Sequence, residues 1–176
     1  MSYEIFAEGT LTGTSSSVDL TSIPDTATHL ELYFNSRSNK ADAGHRGGGV
    51  RFNGITSNNY GVNGGYGEDS TSYAIWDRTI NTRDWFDDAI RHWNNNASAG
   101  LFAPSKMIIP NYTNTSVTRK GIIIQNSTWG ESTSVYYIST IIGHCEVSAA
   151  INRITIYPES GSSFVAGTSY YLAGWE

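Results

Sequence analysis

An all-β protein, an antiparallel β-sandwich or jelly roll with one short inserted helix, is the fold the sequence predicts. Short segments alternate apolar and polar residues, and clusters of Gly, Pro, Asn and Ser punctuate them. Only 15% of residues are charged against 39% hydrophobic, so polarity comes mainly from uncharged Ser, Thr, Asn and Gly, the residues of turns and sheet surfaces. The 176 residues suit a single domain, 1–176, long enough to bury a core without metal or disulfide staples.

In chain order, Tyr3 to Leu11 alternates loosely. After the Ser15-Ser16-Ser17 turn, Val18, Leu20 and Ile23 resume strand spacing, and Pro24 closes the unit. Thr28 to Phe34 is the clearest early strand, with Leu30, Leu32 and Phe34 on one face and His29, Glu31 and Tyr33 on the other. The stretch SRSNKADAGHRGGG is expected to be an exposed, mobile loop that delivers Val50-Arg51-Phe52 to the sheet. Asn53-Gly54 makes a tight turn, and Asn58 to Asp69 reads as a long surface excursion.

Helical spacing of Trp85, Ala89 and His92 or Trp93 predicts a helix over Thr82 to Trp93, within an elaboration spanning about 68–102. Asn81 or Thr82 would cap it, Asp84, Asp87 and Asp88 would favour its first half, and Asn94-Asn95-Asn96 would end it. Beyond it, Met107-Ile108-Ile109 is a brief strand, Gly121 to Gln125 is apolar enough to be buried on both faces, and Val135 to Cys145 is a strand bent at Gly143. Ile154 and Ile156 alternate within a strand that Pro158 stops. After the Glu159–Ser163 turn, Ser169 to Ala173 is expected to return beside it as an adjacent antiparallel partner. The count comes to roughly eight strands.

Several function classes fall away at this stage. A net charge of −5 with no Lys/Arg run argues against nucleic-acid binding. No apolar run reaches membrane-spanning length and MSYEIFAEG lacks the features of an export signal, so a soluble protein without a membrane partner is expected. The single cysteine, Cys145, excludes an internal disulfide and reads as a buried thiol. On a helix, Asp84, Asp87, Asp88 and His92 would share a face able to hold metal or move protons, but an acidic, solvated helix start accounts for them better. His45 lies in a glycine run without the Lys-Ser/Thr of a phosphate loop, and His144 and Cys145, as strand neighbours, point to opposite faces. No catalytic residue, cofactor or metal is expected.

Short motifs follow one another in a definite order. Tyr3 opens the chain, followed by a Ser-rich turn and Ser22-Ile23-Pro24 leading to Leu30 and Leu32; then come Val50-Arg51-Phe52-Asn53-Gly54 and Asn59-Tyr60. Later come Ile109-Pro110-Asn111-Tyr112, Ala150-Ile151-Asn152-Arg153-Ile154-Thr155, and Phe164-Val165-Ala166-Gly167-Thr168 before Leu172-Ala173-Gly174. In this order the chain resembles the small virion structural proteins of tailed bacteriophages, seen as capsid decoration proteins, head fibres or tail-associated modules. The resemblance implies a non-catalytic β-sandwich on the virion exterior, made in the bacterial host cytoplasm.

The expected role is a capsid decoration or cement protein that binds the outer lattice of the major capsid protein. The alternative is a tail-associated module that binds a receptor or host-surface glycan, with Trp76, Trp85, Trp93 or Trp129 as stacking platforms. A glycan-cleaving enzyme with a carboxylate pair is a distant third. Abundant aromatics at low charge predict self-association as a homotrimer. Because loops on a rigid scaffold carry recognition, contacts are expected from Asn35 to Gly49 and from Glu68 to Gly100, and the expected contact residues are Arg37, Lys40, His45, Arg46, Tyr66, Trp76, Trp85 and Trp93.

Overall fold

A computed structural model of the chain describes residues 3–41, 45–68, 72–95, 97–129 and 136–176. The described residues form twelve strands and no helix: β1 (Tyr3–Thr10), β2 (Val18–Thr21), β3 (His29–Ser36), β4 (His45–Phe52), β5 (Tyr60–Glu68), β6 (Ser72–Arg83), β7 (Phe86–Trp93), β8 (Ala103–Ile109), β9 (Arg119–Trp129), β10 (Tyr136–Glu146), β11 (Arg153–Tyr157) and β12 (Ser169–Trp175). Eight lie in one sheet, in the order β1-β12-β3-β8-β9-β10-β5-β6, and four in another, ordered β2-β11-β4-β7. All ladders between these strands are antiparallel, and the fold is the all-β sandwich expected.

Alternation along the strands builds the core. Leu30, Leu32 and Phe34 of β3 and Ile122 and Ile124 of β9 turn inward from the large sheet, while Val18 and Leu20, Val50 and Phe52, and Ile154 and Ile156 turn inward from the small one. Phe52, Tyr60 and Phe86 meet edge to face between the sheets, with ring centroids about 5 Å apart.

The Asn53-Gly54 turn is present, and both residues have positive φ, 51° and 68°. Ile55 N donates to Phe52 O at 2.9 Å, closing the turn. It does not make a hairpin. Instead it releases the chain from the small sheet, and β5 joins the large one. The Asn53 side chain clasps the start of β11: Nδ2 donates to Ala150 O at 2.9 Å, and Oδ1 accepts from Asn152 N at 3.0 Å and Arg153 N at 3.2 Å. The Tyr60 hydroxyl, buried beneath the turn, accepts from Phe52 N at 3.0 Å.

Several expectations are corrected. The last two strands are not partners: β11 pairs with β2 and β4, whereas β12 pairs with β1 and β3. Between them the chain crosses the sandwich, anchored midway by buried Phe164, whose N–H donates to Ser15 O at 2.8 Å. The expected helix over Thr82 to Trp93 is instead the end of β6, a short turn and β7. Ala89, Ile90, Arg91, His92 and Trp93 are buried in succession, so both faces of this segment are covered and the helical spacing was coincidental. Arg91 fits there because its guanidinium stacks 4.2 Å from the Tyr137 ring and donates to that hydroxyl at 2.5 Å.

The expected excursion from Asn58 to Asp69 is β5 as far as Glu68, held between β10 and β6; Asp69 itself lies outside the described residues. The expected mobile loop is shorter than predicted, with 42–44 outside the described residues. Ser36, Arg37 and Ser38 are buried before it, and the glycine run after it belongs to β4. Gly48 is required there by contact: a Cβ would lie 2.2 Å from Tyr157 O. Finally, β9 is buried on one face only, since Ile123 stays exposed between Ile122 and Ile124.

Asn53→Ala should cost about 1–3 kcal/mol in denaturant unfolding, from unpaired backbone groups and a non-glycine residue at positive φ. Asn53→Gly should recover only the backbone part. Ile156→Ala should cost about 2–5 kcal/mol through lost burial and a cavity.

Candidate functional site

The two outer faces differ in chemistry. On the small sheet, the alternation that turns Ile154 and Ile156 inward sends Arg153 and Thr155 outward, opposite Thr21 and Asp19 of β2. Arg153 reaches Asp19 at 2.6 Å and Thr155 Oγ1 donates to the same carboxylate at 2.8 Å. These partners, Arg153 foremost, hold the Asp19 carboxyl below its usual range. Next to them Arg51 lies 5.0 Å from both the Trp85 and Tyr157 rings, its Nε donating to Asp84 O at 2.9 Å and its guanidinium paired with the Asp84 carboxylate. This face is knitted together by ions and stacked rings.

The outer face of the large sheet sets exposed isoleucines and tyrosines among polar residues, with Lys106, Gln125 and Thr140 forming the row beside the isoleucines. Register places Ile108 of β8 opposite Ile123 of β9, and Ile123 opposite Ile142 of β10, so three isoleucines form a row across the strands. Ile138 follows on the same face of β10; Ile138 and Ile142 are 65% and 62% exposed, and Ile123 is 41% exposed. Towards the other edge stand Tyr33 and Tyr171, with ring centroids 6.3 Å apart, then Ile5 and Tyr3, also exposed.

Within this face Glu31 is buried. It accepts from Lys106 Nζ at 2.5 Å and from the Tyr3 hydroxyl at 2.5 Å, and Lys106 also lies 5.1 Å from the Tyr33 ring. Burial pushes the Glu31 carboxyl upward, but the ammonium and hydroxyl donors outweigh it and hold the group below its usual range. The same carboxylate raises the Lys106 ammonium.

The predicted contact residues do not converge. Arg37 is buried and donates to the carbonyls of Ser98, Ala97 and Asn95 at 2.8, 2.8 and 3.2 Å, clamping the segment after β7. Trp93 is buried too, and lines an apolar groove of about 320 Å³ with Leu101, Phe102, Pro104, Thr128 and Ile138. These two side chains serve the fold, so the expectation that they project toward a partner is corrected. Lys40 reaches Ser160 O at 3.3 Å, Tyr66 stacks on Tyr137 at 5.2 Å, and Trp85 is half-buried beneath Arg51. The side chains of His45, Arg46, Trp76 and Trp129 lie outside what is described.

Ile123 was missed because the run Gly121 to Gln125 was read as buried on both faces, and Ile138 and Ile142 because no face was assigned to the strand from Val135 to Cys145. The clue was that Tyr137, Ile141 and Cys145 share one face of the strand, which leaves Ile138 and Ile142 to the other.

The acidic and histidine cluster disperses. Asp84 is on Arg51, while His92 is buried edge-on to Phe164 at 6.0 Å; the side chains of Asp87 and Asp88 lie outside the described residues. Among the described residues no three His, Cys, Asp or Glu side chains gather as a metal site. Cys145 is buried, its thiol pushed up to about 12 by desolvation, and His144 faces the other way. No family model, curated protein or solved structure matches the chain. No described helix is long and apolar enough to cross a membrane.

Because the Glu31 carboxyl is lowered by folding, its stabilising effect is present above the ordinary glutamate value of ~4.3 and lost as pH falls below it. Glu31→Gln should therefore melt below wild type at neutral pH, and the gap should narrow in acid. Thermal melts at several pH values check this.

Proposed function

We propose that the protein is a non-catalytic structural component of a tailed-phage virion, a capsid decoration or cement protein that sits on the outer lattice of the major capsid protein as a homotrimer. The observation that carries this reading is the outer face of the large sheet. Exposed isoleucines and tyrosines spread over this face, with its buried Glu31 neutralised by Lys106, suit association with protein. The resemblance in the ordered motifs supplies the virion setting. A surface of this kind needs no loop motion and no chemistry; it needs a stiff scaffold, which twelve interleaved strands provide.

The alternative, a tail-associated receptor- or glycan-binding module, draws on a smaller feature. Tyr33 and Tyr171 flank a groove of about 210 Å³ with Tyr170 and Pro104, where an aromatic face could meet a sugar ring.

Immunogold labelling or density maps of purified particles of the encoding phage test both. The first reading expects regular occupancy over the head; label confined to the tail selects the second, and particles devoid of the protein overturn both. Tyr33→Ala and Tyr171→Ala should abolish glycan binding in an array assay if the second reading is correct, whereas under the first they should weaken head occupancy without any glycan binding to lose.

A further inference from the structure

We propose that the Asn53-Gly54 turn is a site of spontaneous deamidation that the fold holds closed, so that a chain left open at this joint long enough to react cannot form the joint again. The modification needs no enzyme and no cofactor, and it stands apart from the reading of the protein as a virion component.

Asparagine followed by glycine is the pairing most open to this reaction, because no side chain on the second residue shields its backbone nitrogen. Gly54 N attacks Cγ of the Asn53 side chain and closes a five-membered succinimide. Nδ2 leaves as ammonia, taking up the proton that Gly54 N gives away. Water then opens the ring at one of its two carbonyls and leaves aspartate or isoaspartate in place of Asn53. One water is consumed and one ammonia released, with no change of oxidation state.

In the folded chain the attack has no path. The φ values of 51° at Asn53 and 68° at Gly54, with Ile55 N donating to Phe52 O at 2.9 Å, make the turn a mirror image of type I, in which ψ of the first central residue is about +30°. At such an angle Cβ lies beside the residue's own carbonyl oxygen, so Gly54 N stands on the far side of the Cα–C bond from the side chain. The amide is held as well, with Nδ2 on Ala150 O and Oδ1 on the N–H groups of Asn152 and Arg153. Those two donors polarise Cγ in the manner of an oxyanion hole, but polarisation is without effect while the nucleophile points away. Bringing Gly54 N to Cγ takes roughly half a rotation about the Cα–C bond, and that motion breaks both the turn and the clasp.

The product cannot remake what was lost. A carboxylate has no hydrogen to donate to Ala150 O, and its oxygen would face that carbonyl oxygen where a hydrogen bond of 2.9 Å stood before. The Arg153 guanidinium beside the turn is already held by Asp19. Isoaspartate also lengthens the main chain by one carbon directly after Phe52, the residue that sets β4 opposite Ile154 of β11.

A second Asn-Gly pair, Asn63-Gly64, lies within β5 and gives an internal comparison. Gly64 is covered by ladders on both sides, opposite Ile141 of β10 and Trp76 of β6, so reaction there requires two ladders to part. At Asn53 release of the turn and the clasp is enough.

The test holds wild type, folded or unfolded in guanidinium chloride, in mildly alkaline buffer at body temperature, and peptide mapping by mass spectrometry follows Asn53 and Asn63 separately. Unfolded, the two sites should react at similar rates; folded, Asn53 should react at least about tenfold more slowly than in the unfolded chain. When denaturant is removed and gel filtration separates refolded from unrefolded chains, modified Asn53 should collect in the unrefolded fraction. Asn53→Asp, which makes one product directly, should unfold at a lower denaturant concentration than wild type. Equal rates at Asn53 in folded and unfolded protein overturn the proposal. So do chains modified at Asn53 that refold as fully as unmodified ones, and a wild-type unfolding midpoint for Asn53→Asp.

Discussion

Four hydrogen bonds converge on Asn53, one through its backbone N–H to Arg153 O and three through its side-chain amide to the segment Ala150 to Arg153. They act where β4 ends and β11 begins, so they set how the two strands align: Phe52 comes opposite Ile154, and Val50 opposite Ile156. A slip of one residue would turn every isoleucine of β11 to solvent and every polar residue inward. At the same residue the backbone takes a positive φ and leaves the small sheet for the large one. Register in one sheet, entry into the other and the seat of Tyr60 between them thus depend on one side chain that is neither charged nor apolar.

The ordered motifs noted in the sequence are largely these joints. Asn53 clasps the Ala150 to Arg153 motif, and Tyr112 of the Ile-Pro-Asn-Tyr motif donates its hydroxyl to Pro24 of the Ser-Ile-Pro motif. Thr168 lies against the backbone of Arg37, and Leu11 N donates to Thr168 O. Such motifs specify how a sandwich closes. They need not specify what it binds, since the exposed Ile123, Ile138 and Ile142 lie outside every one of them.

What was legible in the sequence follows from the range of the forces involved. The alternation of Leu30, Leu32 and Phe34 is a local signal, and the structure places all three in the core. The Asn53-Gly54 turn was equally legible, because positive φ is a property of the residues themselves. What followed the turn was not, since the same turn serves a hairpin or a crossing between sheets. Likewise Ile156 and Leu172 each belong to an alternating strand, but only the presence of β2, β4, β1 and β3 decides that they lie in opposite sheets. The segment around Trp85 to Trp93 mimicked a helix because burial on both sides of β7 removed any two-residue period. The candidate surface was hidden for the converse reason: an isoleucine reserved for contact between chains looks, in one chain, like an isoleucine of the core.

The position of β12 bears on the order in which the chain can be made. It lies between β1 and β3, pairing Ile5 with Ala173 on one side and Leu32 with Leu172 on the other. During synthesis the two flanking strands emerge first and the strand between them emerges last of the twelve. Until it does, β1 has no neighbour in the large sheet, β3 has only one, and a slot of strand width stays open along the buried faces of Phe6 and Leu32. The sheet therefore cannot close until β12 takes its place between the two strands, and the last strand made is the one that seals the core between them.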